Sequence, residues 1–161
     1  MPPVAAPLAN FECDNENTLI NRWRLQRVDL RKHLLQLMCT RLSSASRHEQ
    51  EACLERLCAE LIDYISTGHF EVYNGLMRRQ ANSNHELQIL IAYLYRCIGS
   101  STDLVLEFNS ICERATVFVR SNQMTEALGK LTRSLLVRFA LEEQMIELTT
   151  CTDYWVATPG A

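Results

Sequence analysis

The sequence predicts an all-α fold, an antiparallel bundle of four main helices, and three observations carry that prediction. Prolines stand only at positions 2, 3, 7 and 159, so the strongest helix breaker is missing from the whole middle of the 161-residue chain. Glycine is almost as rare, with five in total. Apolar residues recur at helical spacing nearly throughout, and no alternating run bounded by turn dipeptides competes with them. Each amphipathic stripe needs a partner to bury it, and short connections favour antiparallel neighbours, so a bundle is the economical arrangement.

Residues 17–150 read as a single helical-bundle domain, between a flexible N-terminal segment 1–16 and a C-terminal tail 151–161. The first helix is expected from about Thr18 to Cys39, with Leu19, Trp23, Leu30, Leu34 and Leu37 facing inward and a basic remainder of Arg22, Arg24, Arg27, Arg31 and Lys32. Ser46 and Glu49 then match the S-x-x-E capping box that satisfies the free amides of a first turn. A second helix follows from about Arg47 towards Arg79. After Asn82-Ser83-Asn84, a third helical pattern runs through Leu87, Leu90, Ile91, Leu94 and Ile98. Gly99-Ser100-Ser101-Thr102 interrupts it before Leu104, Phe108, Ile111, Cys112, Ala115 and Phe118 resume the period, as one kinked helix or two. The last helix, about 122 to 150, sets Met124, Leu128, Leu131, Leu135, Phe139, Met145 and Ile146 inward.

The net charge is −3 and the pI about 5.8, with 22% charged and 47% hydrophobic residues, a globular composition. A bare nucleic-acid binder is normally basic, whereas this balance allows a basic protein partner. Seven cysteines with no CxxC pair, most at apolar helical positions, point to free thiols in a reducing cytoplasm. The first 17 residues hold Glu12, Asp14 and Glu16 but no Lys or Arg, which does not fit a signal peptide. No stretch approaches the roughly 20 apolar residues of a membrane span.

Catalytic chemistry finds little support. Di-iron bundles use Glu-x-x-His pairs, and none of His33, His48, His69 and His85 has a glutamate three residues before it. A phosphotransfer bundle would need an exposed, uncrowded histidine, and His69 is followed by Phe70 and the acidic Glu71. Gly-rich phosphate loops and nucleophile elbows are absent. No enzyme, metal or cofactor is expected. Direct DNA binding has one argument, the Arg-rich run RWRLQRVDLRKH, for which a solvated basic face is the commoner meaning.

The segment LIDYISTGHFEVY, residues 61–73, carries two different faces. At about 100° per residue, Leu57, Cys58, Leu61, Ile62 and Ile65 cluster with Leu54 on a core face, and Val72 and Leu76 return to that phase. An unbroken helix through Gly68 then turns Asp63 and Phe70 away from the core. Ser66, Phe70 and Met77 form a second stripe beside Asp63, led by Ala59. An aromatic between a small hydroxyl, a carboxylate and a methionine suits a partner-binding patch. The alternative is that another part of the chain covers Phe70. His69 falls at the edge of the core face, where a buried, hydrogen-bonded imidazole is preferred to a catalytic one.

This segment closely resembles the signature of the Rsd/AlgQ family, bacterial regulators of sigma D, at Asp63, Tyr64, Ser66, Gly68, His69, Phe70 and Tyr73. INRWRLQRVDLRKHLL is similar to an early family element at Arg22, Trp23, His33, Leu34 and Leu35. RFALEEQMI is similar to a late one at Arg138, Phe139, Leu141, Glu142 and Ile146. Asn21, Arg24, Thr67 and Glu143 depart from the family pattern, Arg24 by placing a charge where relatives have leucine. The resemblance implies a cytoplasmic, monomeric anti-sigma factor that binds the C-terminal helix-turn-helix domain of the primary sigma factor, with a second regulatory protein as a further partner. It implies partner contacts at Asp63, Ser66 and Phe70, and also at Arg22 and Trp23, and the helical stripe adds Met77 to them. His69, Arg138 and Glu142 are expected to be structural.

Overall fold

Residues 8–42, 45–114 and 122–156 are described by the computed structural model, so Ala115 and Phe118 of the third pattern lie outside them. Among the described residues every regular element is helical. α1 spans Leu8–Leu42 and starts ten residues before the expected Thr18, directly after the last N-terminal proline. Its early turns are anchored by Glu16, which pairs with Arg79.

α2 spans Arg47–Thr67 and opens on the expected capping box: Glu49 N–H donates to Ser46 Oγ at 3.2 Å, and Ser46 N–H to Glu49 Oε2 at 2.7 Å. Hydrogen bonding from the Ser46 backbone N–H, and then from its hydroxyl, holds the Glu49 carboxyl below its ordinary range. The rod then continues as a π-helical turn at Gly68–Val72, α3 at Tyr73–Arg79 and a 3₁₀ turn at Gln80–Asn82.

α4 is one helix, His85–Arg114, running straight through the Gly99 to Thr102 interruption. Ser100 and Ser101 there donate to the carbonyls of Cys97 and Ile98 at 2.9 and 2.6 Å, back-bonds to the preceding turn that satisfy their hydroxyls inside the helix. α5 spans Asn122–Val156.

Antiparallel packing of α1 on the second rod is visible in its cross-contacts. Thr40 meets Gln50, His33 meets Glu60, Trp23 meets Tyr64 and Glu16 meets Arg79. α4 and α5 pair in the same sense, with Ser101 against Arg138 and Ile111 in one groove with Gln123. The core between them buries Leu30, Leu37, Leu57, Leu61, Leu76, Ile98 and Leu131 among others, each worth about 1.5–3 kcal/mol of transfer free energy.

Two expectations about α4 are corrected. Leu90 is exposed, because the buried face is centred on its neighbour Ile91 with Leu94, Ile98 and Val105, about 100° away. And His85–Glu113 is long and apolar enough, by length and composition, to cross a membrane. Ile91, Leu94, Ile98, Val105 and Phe108 from that stretch are nevertheless packed into the core of the bundle.

Candidate partner-binding site

The site begins with the π turn. Tyr73 N–H bonds back to the Gly68 carbonyl, five residues earlier, so this turn is wider than an α-helical one and winds fewer degrees per residue. Everything after Gly68 therefore lags the phase of an uninterrupted α-helix. Tyr73, which an unbroken helix would hold on the flank, is rotated fully into the interior. Gly68 itself is required by close packing: a Cβ there would lie 2.9 Å from Cζ2 of Trp23 and 3.2 Å from the Tyr73 ring.

On the outer side, Phe70 is 77% exposed, the largest fraction of any large hydrophobic side chain among the described residues. Asp63 is exposed and Ser66 half-buried, so the expected stripe stands as far as Phe70. Arg22 lies beside it on α1, its Nη2 3.7 Å from Glu71 Oε2, both side chains largely in solvent. No other part of the described chain covers Phe70.

Two expected contact residues are corrected. Met77 is half-buried and packs against the core, because the π turn's lag swings it inward from the line it would share with Phe70. Trp23 is fully buried and has no surface to offer a partner. Its indole stacks on Tyr64 at 4.9 Å, meets Tyr73 edge-on at 5.7 Å, and donates from Nε1 to the Tyr64 carbonyl at 3.0 Å.

Beneath the patch lies a buried polar network. Glu142, wholly buried on α5, accepts at Oε1 from Tyr73 at 2.6 Å and from Arg138 Nε at 2.7 Å. At Oε2 it accepts from the Tyr64 hydroxyl and from Arg27 Nη2, the latter at 3.2 Å. Arg138 is equally buried and reaches Ser101 at 3.0 Å, Thr102 at 2.9 Å and the Tyr73 oxygen at 2.9 Å. Burial disfavours the Arg138 charge, but Tyr73 and Glu142 outweigh it and raise its pKa. Burial first, then the Glu142 carboxylate, pushes both tyrosine hydroxyls far up, so they remain donors. Such a set is stable because every charge has partners.

His69 borders this network and is half-buried, where the sequence reading favours a buried imidazole. Its Nε2 lies 3.1 Å from the Thr102 hydroxyl, which already accepts from Arg138. Burial, followed by the Arg138 charge, lowers the His69 pKa and favours the neutral imidazole in this bond.

Sequence reasoning missed Arg27, Tyr64, Tyr73 and Thr102 as parts of this network. Arg27 sits in a basic run and reads as a solvated charge, yet its guanidinium lies over the Trp23 and Phe139 rings at 5.3 and 5.4 Å and binds Glu143 at 2.9 Å. The tyrosines carried a signal, since both belong to the signature segment. Arg24 pairs with Glu143, so two departures from the family pattern answer each other. Burial opposes ionisation of Glu143, but Arg24 and Arg27 prevail and hold its carboxyl below the ordinary range.

The fold and site together define a helical bundle with a polar heart and one aromatic presented to the outside. The family model described as "Regulator of RNA polymerase sigma(70) subunit, Rsd/AlgQ" matches residues 8–150, and the chain belongs to that family. Among its relatives is the "Regulator of sigma D" of Pectobacterium carotovorum subsp. carotovorum, 31% identical over 137 residues, covering 82% of this chain and 88% of that one. Another is the "Regulator of sigma D" of Yersinia enterocolitica, 27% identical over 139 residues, covering 81% and 80%. No solved structure matches the chain significantly.

Proposed function

We propose that this protein is a cytoplasmic anti-sigma factor that regulates the primary sigma factor by binding its C-terminal helix-turn-helix domain. Masking that domain withholds it from RNA polymerase and from the −35 promoter element, and alternative sigma factors load in its place. The protein acts as a monomer, by occupancy and without catalysis. The observation that carries this reading is the exposure of Phe70 beside Asp63 and Ser66, in a segment whose other aromatics are all buried.

A DNA-reading domain is basic, and an acidic surface with carboxylates at its rim offers its cations an alternative to phosphate. Charge steers such an encounter, while the apolar anchor supplies specificity. Asp63 pairs a sigma cation, half-buried Ser66 permits close approach, and Phe70 enters an apolar pocket. Arg22, exposed beside Glu71, belongs to the rim.

Direct DNA binding through α1 is the weaker reading, since Arg24 and Arg27 of its basic run are already paired with Glu142 and Glu143. The test is titration of the intact chain with the isolated sigma domain and, separately, with duplex DNA at several salt concentrations. Sequestration expects saturable binding to the sigma domain, lost more completely in Asp63→Lys than in Asp63→Ala, because lysine adds repulsion. Salt-dependent retention of duplex without sigma binding would establish the DNA reading instead.

A further inference from the structure

The buried network has a second consequence, which rests on the reading of Phe70 as the anchor. A π turn is an uncommon local geometry and persists where its surroundings dictate it. Here the dictating groups flank Phe70 on both sides. On one side His69 is tied through Thr102 to the Arg138 guanidinium, at 3.1 and 2.9 Å. On the other, Tyr73 donates to Glu142 at 2.6 Å and accepts from the same guanidinium at 2.9 Å. One cation on α5 thus grips residues 69 and 73, leaving Phe70 and Glu71 between them to face outward.

We propose that Tyr73, Thr102 and Arg138 are positioning residues for the partner site, bracing the π turn so that Phe70 is presented before any partner arrives. Preorganisation of this kind raises affinity by removing an ordering cost from the binding step. Tyr64 provides an internal control: it too is buried and donates to Glu142, yet it precedes the turn on α2.

The experiment compares Tyr73→Phe with Tyr64→Phe in the full chain, measuring affinity for the sigma C-terminal domain, the unfolding midpoint, and amide hydrogen exchange across residues 68–73. Each variant loses one hydroxyl bonded to a buried charge, so similar losses of stability are expected. The brace predicts about tenfold weaker binding and faster exchange in the turn for Tyr73→Phe, with Tyr64→Phe within about threefold of the unaltered protein. Equal effects of the two, or unchanged exchange in Tyr73→Phe, would overturn it by making the network a stabiliser only. Should the unaltered protein bind no sigma domain, the functional reading fails, and the exchange comparison alone decides whether the turn is braced.

Discussion

Phe70 and His69 are adjacent, yet physics assigns them opposite tasks. Phe70 has little to lose on folding, because most of its ring stays in water. Phe70→Ala should therefore leave the unfolding midpoint within a degree or two while weakening the sigma complex by about 2 kcal/mol or more, the signature of a hot spot. Calorimetry on the free chain and titration of the complex separate the two effects. His69 bonds Thr102 beside the buried Arg138 cation, and its folded-state pKa is lowered from 6.5 by burial and by that charge. The unfolded chain then takes up the proton first. Stability from this group is fully present above about 6.5 and is lost as pH falls through the lowered value. Unfolding midpoints measured between neutral pH and mild acid should show that loss, and His69→Gln should flatten it.

At the scale of the element, the long helices were legible and the π turn was not. Periodicity, absent prolines and the Ser46–Glu49 box announce helices strongly, and all of those signals are local. A π turn leaves the same apolar residues in the same order, so nothing in LIDYISTGHFEVY distinguishes it from an α-helical turn. Asp63, Ser66 and Phe70 stay on the outer side because they lie before or within the turn, whereas the phase lag accumulates beyond it and carries Met77 inward. Gly68 is where the two geometries part, because the rigid Trp23 indole occupies the space a side chain would need. Gly68→Ala should cost about 1–3 kcal/mol through overpacking, read as a lowered midpoint in denaturant. Trp23 was legible as an inward residue from its spacing, and only its resemblance-derived contact role fails.

Across the whole molecule the deciding feature is the meeting of distant charges, which a linear reading cannot see. Arg27 and Glu142 are separated by 115 positions, and Arg27 looks like any solvated cation until its partner is known. Arg138 and Glu142 stand four apart on α5 and invite the reading of an exposed intrahelical pair, worth a few tenths of a kcal/mol. Their burial changes that magnitude. Glu142→Leu should destabilise the protein by about 3–5 kcal/mol, since it strands the Arg138 charge and two tyrosine hydroxyls in the interior. Equilibrium denaturation checks it, and a loss below 1 kcal/mol would mean that water reaches the site.

The place of Glu142 along the polypeptide bears on how the protein is made. Tyr64, Tyr73 and Arg27 all leave the ribosome well before the carboxylate that serves them, and α4 emerges in between with much of its apolar length still unclaimed. The finished interior therefore waits for α5. A chain interrupted ahead of residue 138 would hold three polar donors with no shared acceptor, and the interior could not close until α5 had been made.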